Sequence, residues 1–291
     1  MLIKAQKSKI IQPISLIFIQ KKVLQDYKYL NYCVILMKKK LIDSTNIHII
    51  GDIGNTDTKI FLVNHKLDKI KKIFLKTRLI SNSYLNKNLR VLNNKKIKLV
   101  LFSSVVPSAY KQLKNFLKRR YNINSSELKN KNFSKLVKLK VNRSQVGSDR
   151  IANAISVIDN KNNYIVVDFG TATTFDVIIK NTYCGGVIAP GVSLSLNTLI
   201  SKASLIPFIN LSKISKVVGT NTNQAVKSGF YWGYLGLIDN IILMIKKQTK
   251  KSFKLIFTGG FAYMFKNLKK NNPIIQKDLT IDGLIKVIKN I

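Results

Sequence analysis

The chain is short of the residue types on which thiolate, histidine and glutamate chemistry is built. Its two cysteines, Cys33 and Cys184, stand far apart and in no C-x-x-C pair, which excludes a disulfide framework and a thiolate zinc site. Its two histidines, His48 and His65, form no H-E-x-x-H, and there is no G-x-S-x-G elbow, so neither zincin nor α/β-hydrolase chemistry is available. His65, followed by Lys66 in a polar turn, reads as a loop residue. Acids are scarce too: of 13, only one is glutamate, so each aspartate at a turn or helix start is informative. No membrane segment shows near the start. The apolar stretch Ile14 to Ile19 follows Gln12 and Pro13, falls well short of the roughly 20 residues a span needs, and carries no signal-peptide cleavage pattern. These absences point to a cytoplasmic protein with no membrane partner.

Lysine is what the chain has in excess. The net charge is +37 over 291 residues, and most of the 50 cations are lysine. Such charge attracts phosphate backbones through counterion release, but arginine, the planar fork that reads phosphate and base edges, is rare. The lysines are scattered rather than gathered into a block, and asparagine and isoleucine are abundant beside them. We read them as solvated surface residues set by compositional bias, and expect no specific nucleic-acid partner. An apolar content of 46% over this length is enough for two domains, each burying a core.

Residues 1–46 read as a Lys-rich N-terminal extension, dispensable for the fold. It ends in Lys38-Lys39-Lys40 just after Met37, a second candidate start. The first strand signal, Ile47-His48-Ile49-Ile50, runs into Gly51-Asp52-Ile53-Gly54-Asn55-Thr56 and returns through Lys59 to Val63. The same pattern recurs: Tyr164 to Val167, a turn through Asp168-Phe169-Gly170-Thr171, and a return through Phe175 to Ile179. Between them lie a buried-strand candidate, Ile97 to Phe102, a helical stretch from Pro107 to Leu117, and a helix starting near Ser148. A further strand, Lys254 to Phe257, precedes Thr258-Gly259-Gly260, and Ile281 to Ile288 reads as the last helix. The expected architecture is α/β, with a first domain at 47–163 and a second at 164–291. Gly229, Gly233 and Gly236 fall on a helix with Trp232, where close helix packing is the expected cause.

An Asp-x-Gly turn followed by threonine places a carboxylate, bare backbone and a hydroxyl on one short loop. Glycine lets backbone N–H groups approach phosphate, threonine donates, and aspartate takes Mg²⁺ through water. One such loop is usually only a hairpin turn. Two, each at the end of an apolar strand in halves of similar length, point to a polyphosphate held between them.

This pair, with Gly259-Gly260 after a third strand, resembles the acetate and sugar kinase, heat-shock ATPase and actin superfamily, which implies two related ribonuclease H-like domains. Five motifs in order narrow the resemblance to type III pantothenate kinase. They are Asp52 to Lys59, Gly147-Ser148-Asp149-Arg150, Asp168 to Thr174, Gly185-Gly186-Val187-Ile188-Ala189-Pro190-Gly191, and Gly219-Thr220-Asn221-Thr222 through Ser228-Gly229. The resemblance runs from about residue 47 to the end. It implies ATP-dependent phosphorylation of pantothenate to 4'-phosphopantothenate, in coenzyme A biosynthesis, by a homodimer that uses Mg²⁺ or another divalent metal and K⁺ or NH₄⁺.

By the same resemblance Asp52, Ile53, Gly54, Asn55, Thr56, Asp57, Thr58 and Lys59 form the first ATP loop, and Thr171 meets ATP from the opposite wall. Asp168 holds the monovalent cation. Asp149 is the expected general base, and its place in the first turn of a helix favours the ionised form, although an aspartate there also suits plain capping. Gly147, Ser148 and Arg150 belong to the substrate site, Arg150 offering a fork for a carboxylate. Thr222 matches a substrate contact, and equally suits capping of the helix ahead of Ala225. The chain departs from the family at Lys140-Val141-Asn142-Arg143, where an aromatic substrate contact and an Asn-Pro pair are usual. Lys140 takes the aromatic position, which bears on the shape of the pantothenate pocket. Two rival functions fit part of the pattern: another small-molecule kinase of the superfamily, and a transcription-associated accessory protein of the same fold.

Overall fold

A computed structural model describes residues 46–267 and 272–290. The N-terminal extension lies outside them except for Asn46, which opens the first strand.

The first sheet is built from β1 (Asn46–Ile53), β2 (Asp57–Val63), β3 (Lys69–Lys76), β4 (Lys96–Ser104) and β5 (Ser126–Glu127), in the order β3-β2-β1-β4-β5. The first three strands are antiparallel neighbours, whereas β4 joins β1, and β5 joins β4, in parallel. The second sheet repeats this plan with β7 (Asn163–Phe169), β8 (Ala172–Ile179), β9 (Thr182–Pro190), β10 (Lys254–Gly259) and β11 (Ile274–Ile275), ordered β9-β8-β7-β10-β11. Its pairings have the same directions, and β6 (Lys138–Leu139) adds a parallel strand beside β9. The internal repeat seen in two short motifs thus extends to the topology of both sheets, the ribonuclease H-like plan of the acetate and sugar kinase/actin type.

Strands buried on both faces need helices on both faces. One face of the first sheet, through Ile47, Ile49, Ile60 and Leu62, packs on α1 (Asn82–Asn88) and α2 (Pro107–Tyr121). Its other face, through Ile50, Phe61 and Leu101, meets α3 (Ser148–Val157) and α6 (Leu279–Ile288). Those helices also meet the second sheet at Val166, Ile178 and Ile256. The far face of that sheet, through Val167, Phe175 and Phe257, packs on α4 (Val192–Lys202) and α5 (Thr222–Thr249). The layers run helix, sheet, helix pair, sheet, helix, and the helix pair is common to both sheets.

Helices α3 and α6 cross unusually closely. A Cβ on Gly283 would stand 1.9 Å from the Ala152 carbonyl oxygen, so only glycine fits there. Lys286 then donates to the carbonyls of Ile155, Ser156 and Ile158, completing the end of α3. Lys72–Asp278 and Lys69–Asp282 bridges, at 2.8 and 2.6 Å, tie β3 to the same region.

The glycines of α5 depart from expectation. A Cβ on Gly229, Gly233 or Gly236 would meet nothing within 4 Å, so among the described residues no helix packs closely on them. By length and composition alone α5 could cross a membrane. Yet Tyr231, Tyr234, Leu235, Ile238, Ile242 and Ile245 face the second sheet as a core helix does.

Candidate active site

The two Asp-x-Gly loops meet. In each, the glycine N–H closes the turn, Gly54 to the Asp57 carbonyl at 3.1 Å and Gly170 to the Ala172 carbonyl at 3.0 Å. Across the gap the hydroxyls of Thr56 and Thr171 share a hydrogen bond of 3.0 Å, although the residues are 115 apart in sequence. Behind them lies a cavity of about 770 Å³. The first loop lines it with Asp52, Gly54, Asn55, Thr56, Asp57 and Lys59; the second contributes Asp168 and Thr171. The start of α3 supplies Gly147, Asp149 and Arg150, and the end of β10 supplies Gly259-Gly260.

Other expected residues sit elsewhere. Ile53 is a core residue, and Thr58 is buried with its hydroxyl bonded to that of Thr77 at 2.9 Å. Ser148 is fully buried and donates its hydroxyl to Glu127. Lys140 is exposed just beyond β6 and does not line the cavity. Thr222 is exposed as the first residue of α5, and the cap is Asn221, whose side chain accepts from Gln224 N. Arg143, in the region of the missing Asn-Pro pair, braces the loop before it. Its guanidinium donates to the carbonyls of Lys129 and Lys131 and lies 4.4 Å over the Phe133 ring.

The cavity floor is acidic and partly withdrawn from solvent. Burial, then the charge of Asp149, pushes Asp52 up to about 7 against the pull of Lys59, its partner in the β1–β2 register. Burial and Asp149 likewise push Asp168 up to about 6, with Asn153 and Lys59 opposing. Asp149 also rises, chiefly through burial. The helix start does act on it, since Asp149 Oδ1 accepts from Arg150 N at 2.8 Å, but desolvation outweighs that donor, contrary to the expectation of a favoured ionised form. Nor does Asp149 cap the helix, since Gly147 holds that position.

Several site residues escaped the sequence reading. Asn153 donates to Asp168 Oδ2 at 3.1 Å and accepts from Thr280 at 2.9 Å, linking α6 through α3 to the second loop. Its signal was its place one helical turn after Asp149, on the same face. Asp176 accepts from Arg150 Nε at 2.7 Å and from the Tyr183 hydroxyl at 2.8 Å. Its signal was a carboxylate in the otherwise apolar run from Phe175 to Ile179.

A cavity behind paired glycine loops, lined also by a carboxylate and an arginine, suits phosphoryl transfer to a small acid bearing a hydroxyl. The family model for type III pantothenate kinase matches residues 48–244. A type III pantothenate kinase from Pelagibacter ubique is 60% identical over 240 residues, covering 82% of this chain and 97% of that relative. Another, from Sulfurihydrogenibium sp., is 35% identical over 249 residues, covering 80% and 96%. The chain belongs to the type III pantothenate kinase family. Among solved structures it resembles a Campylobacter jejuni protein named as a Baf family transcriptional activator, with a TM-score of 0.54, 24% identity and coverage of 83% and 98%. It also resembles the ethanolamine utilization protein EutJ from Carboxydothermus hydrogenoformans, with a TM-score of 0.52, 13% identity and coverage of 82% and 89%. At such identities these two show the fold alone.

A type III pantothenate kinase is a transferase that uses ATP with a divalent metal, and the carboxylates here fit such an ion. Asp52 and Asp168 are hard oxygen donors whose charges burial leaves poorly compensated. Among the described residues no three His, Cys, Asp or Glu side chains converge on one point. The remaining ligands would therefore be phosphate oxygens and water, as is usual for Mg²⁺.

Proposed function

We propose that this chain transfers the γ-phosphoryl group of ATP to the terminal hydroxyl of pantothenate. The observation that carries this is a single cavity lined together by the Asp149–Arg150 pair and by two facing Asp-x-Gly loops. Phosphoryl transfer passes through a loose transition state, so the protein's work is placement and charge neutralisation. The backbone of residues 52–59 and the Thr171 hydroxyl hold the phosphates, and Lys59 adds a positive charge beside them. A divalent metal would be held by Asp52, where it neutralises phosphate charge. Asp149 accepts the proton of the attacking hydroxyl, and its raised affinity for protons suits a base working near neutrality. Arg150 takes the pantothenate carboxylate.

Several finer features belong to the same proposal. Asp168 holds potassium or ammonium beside the phosphates. Thr222 and Lys140 touch substrate by resemblance, though neither lines the cavity of a single chain. A homodimer is supported by the face of α5 that no other described residue covers, where Gly229, Gly233 and Gly236 are joined by exposed Leu243 and Met244. Two domains meeting near residue 163 are supported by the two sheets, although β6 from before that point joins the second sheet and α6 from after it packs on the first; a cytoplasmic location follows the substrate.

A coupled ADP-release assay across small alcohols and acids tests the reading. Turnover should be selective for pantothenate, and should rise strongly when potassium or ammonium replaces sodium at constant ionic strength, which excludes general screening of the +37 surface. No turnover of pantothenate would overturn the kinase reading, and equal rates in sodium and potassium would overturn the cation role of Asp168.

A further inference from the structure

Behind the substrate end of the cavity, Arg150 is gripped from several sides. Its Nε donates to Asp176 Oδ1 at 2.7 Å, and its guanidinium carbon lies 6.0 Å from the centre of the Tyr183 ring. Asp176 is wholly buried in β8, and the Tyr183 hydroxyl donates to the same oxygen at 2.8 Å. Opposite Asp176 in the β8–β9 register stands Gly186, where a Cβ would come 2.8 Å from Arg150 Nη2 and 1.8 Å from the Phe175 carbonyl oxygen. The bare backbone there makes the space that Nη2 occupies. One guanidinium orientation is therefore fixed by a carboxylate, an aromatic ring and a missing side chain.

Two atoms of this cluster are left over. Arg150 Nη2 and Asp176 Oδ2 are buried without a hydrogen-bond partner, as is Thr174 Oγ1 on the cavity-facing side of the same strand. Unpaired buried polar atoms are costly and rare, so a cluster that keeps them beside a binding cavity is held for something other than stability.

We infer that Asp176, braced by Tyr183, is a positioning residue that aims Arg150 at the acceptor's carboxylate, and so sets the preference for a carboxylate-bearing alcohol over its neutral amide. This rests on the assignment of Arg150 as the carboxylate contact. Asp176 does not touch the substrate itself. A role limited to balancing the arginine's charge predicts the opposite response, because removing a nearby anion would strengthen Arg150's attraction for a carboxylate.

The test compares Asp176→Asn and Tyr183→Phe with the unaltered chain, using pantothenate and its carboxamide as acceptors. For Asp176→Asn the KM for pantothenate should rise about tenfold or more, as expected when a charge-assisted contact is misaimed, with kcat and the KM for ATP nearly unchanged. The ratio of kcat/KM for acid over amide should fall by the same factor. Tyr183→Phe should move both quantities the same way by less, and it carries the test if thermal melting shows Asp176→Asn unfolded. An unchanged or lower KM for pantothenate, or equal losses on acid and amide, would overturn the positioning role. No turnover of pantothenate by the unaltered chain would instead remove the assignment on which it rests.

Discussion

At the scale of single residues, the site gathers three partly buried aspartates, Asp52, Asp149 and Asp168, around one cavity. Asp149→Asn keeps the shape of the α3 start but cannot accept a proton. We expect phosphorylation to fall about 10²- to 10⁴-fold with ATP affinity retained. Activity within tenfold of the parent would remove Asp149 as base. In the parent, kcat/KM should fall on acidification at a pH above the ordinary aspartate value, because burial raises Asp149.

Asp52 makes the complementary case for stability. Its affinity for protons is higher folded, at about 7, than unfolded, near 3.8. Below pH 4 the carboxyl is protonated in both states and carries no penalty. As pH rises toward 7 the unfolded chain ionises first, and stability is lost. Asp52→Asn should therefore stabilise the ligand-free protein above pH 7, by on the order of 2–4 kcal/mol, with the gain vanishing toward pH 4. Melting temperatures across that range check it, and equal shifts at pH 4 and 8 would refute the assignment. The residues forming these loops were legible because glycine, aspartate and threonine lie within a few positions of each other. Asp176 and Asn153 were not, because their partners come from strands and helices far away in sequence.

At the scale of elements, hydrophobic period identified β1, β2, β4, β7, β8 and β10 and the helices starting near Pro107, Ser148 and Ile281, but missed the nine-residue β9, whose Gly185-Gly186 pair interrupts the pattern. It could not show β5, β6 and β11, each two residues long and held only by neighbours. Lys-rich β3 also escaped, since five of its eight residues are exposed lysine or isoleucine at an edge. Glycine misled on α5 for a related reason: spacing marks a smooth helix face but not what covers it. The close crossing is at Gly283 instead, where Ala152 is the partner. Gly283→Val should destabilise the protein by about 3 kcal/mol, as overpacking against backbone does. It should also lower kcat, because separating α6 from α3 shifts Asp149 and Asn153. A variant with parental melting temperature and rate would show that the crossing adapts.

For the molecule as a whole, two sheets with one strand order bring two similar loops face to face, and this much was readable from the repeated motif. What was hidden is that the sheets share one helix pair. Ile50, Phe61 and Leu101 from the first sheet pack in the same cluster as Ile281, Leu284 and Val287 near the other end of the chain. Synthesis runs from the first sheet to α6, so β1 leaves the ribosome with one side uncovered and waits for more than 200 residues before its final cover emerges. The protein therefore cannot mature one half at a time. Nascent chains arrested before Leu279 should remain protease-sensitive throughout the first sheet, and should become resistant in both halves together once Ile288 has cleared the exit tunnel.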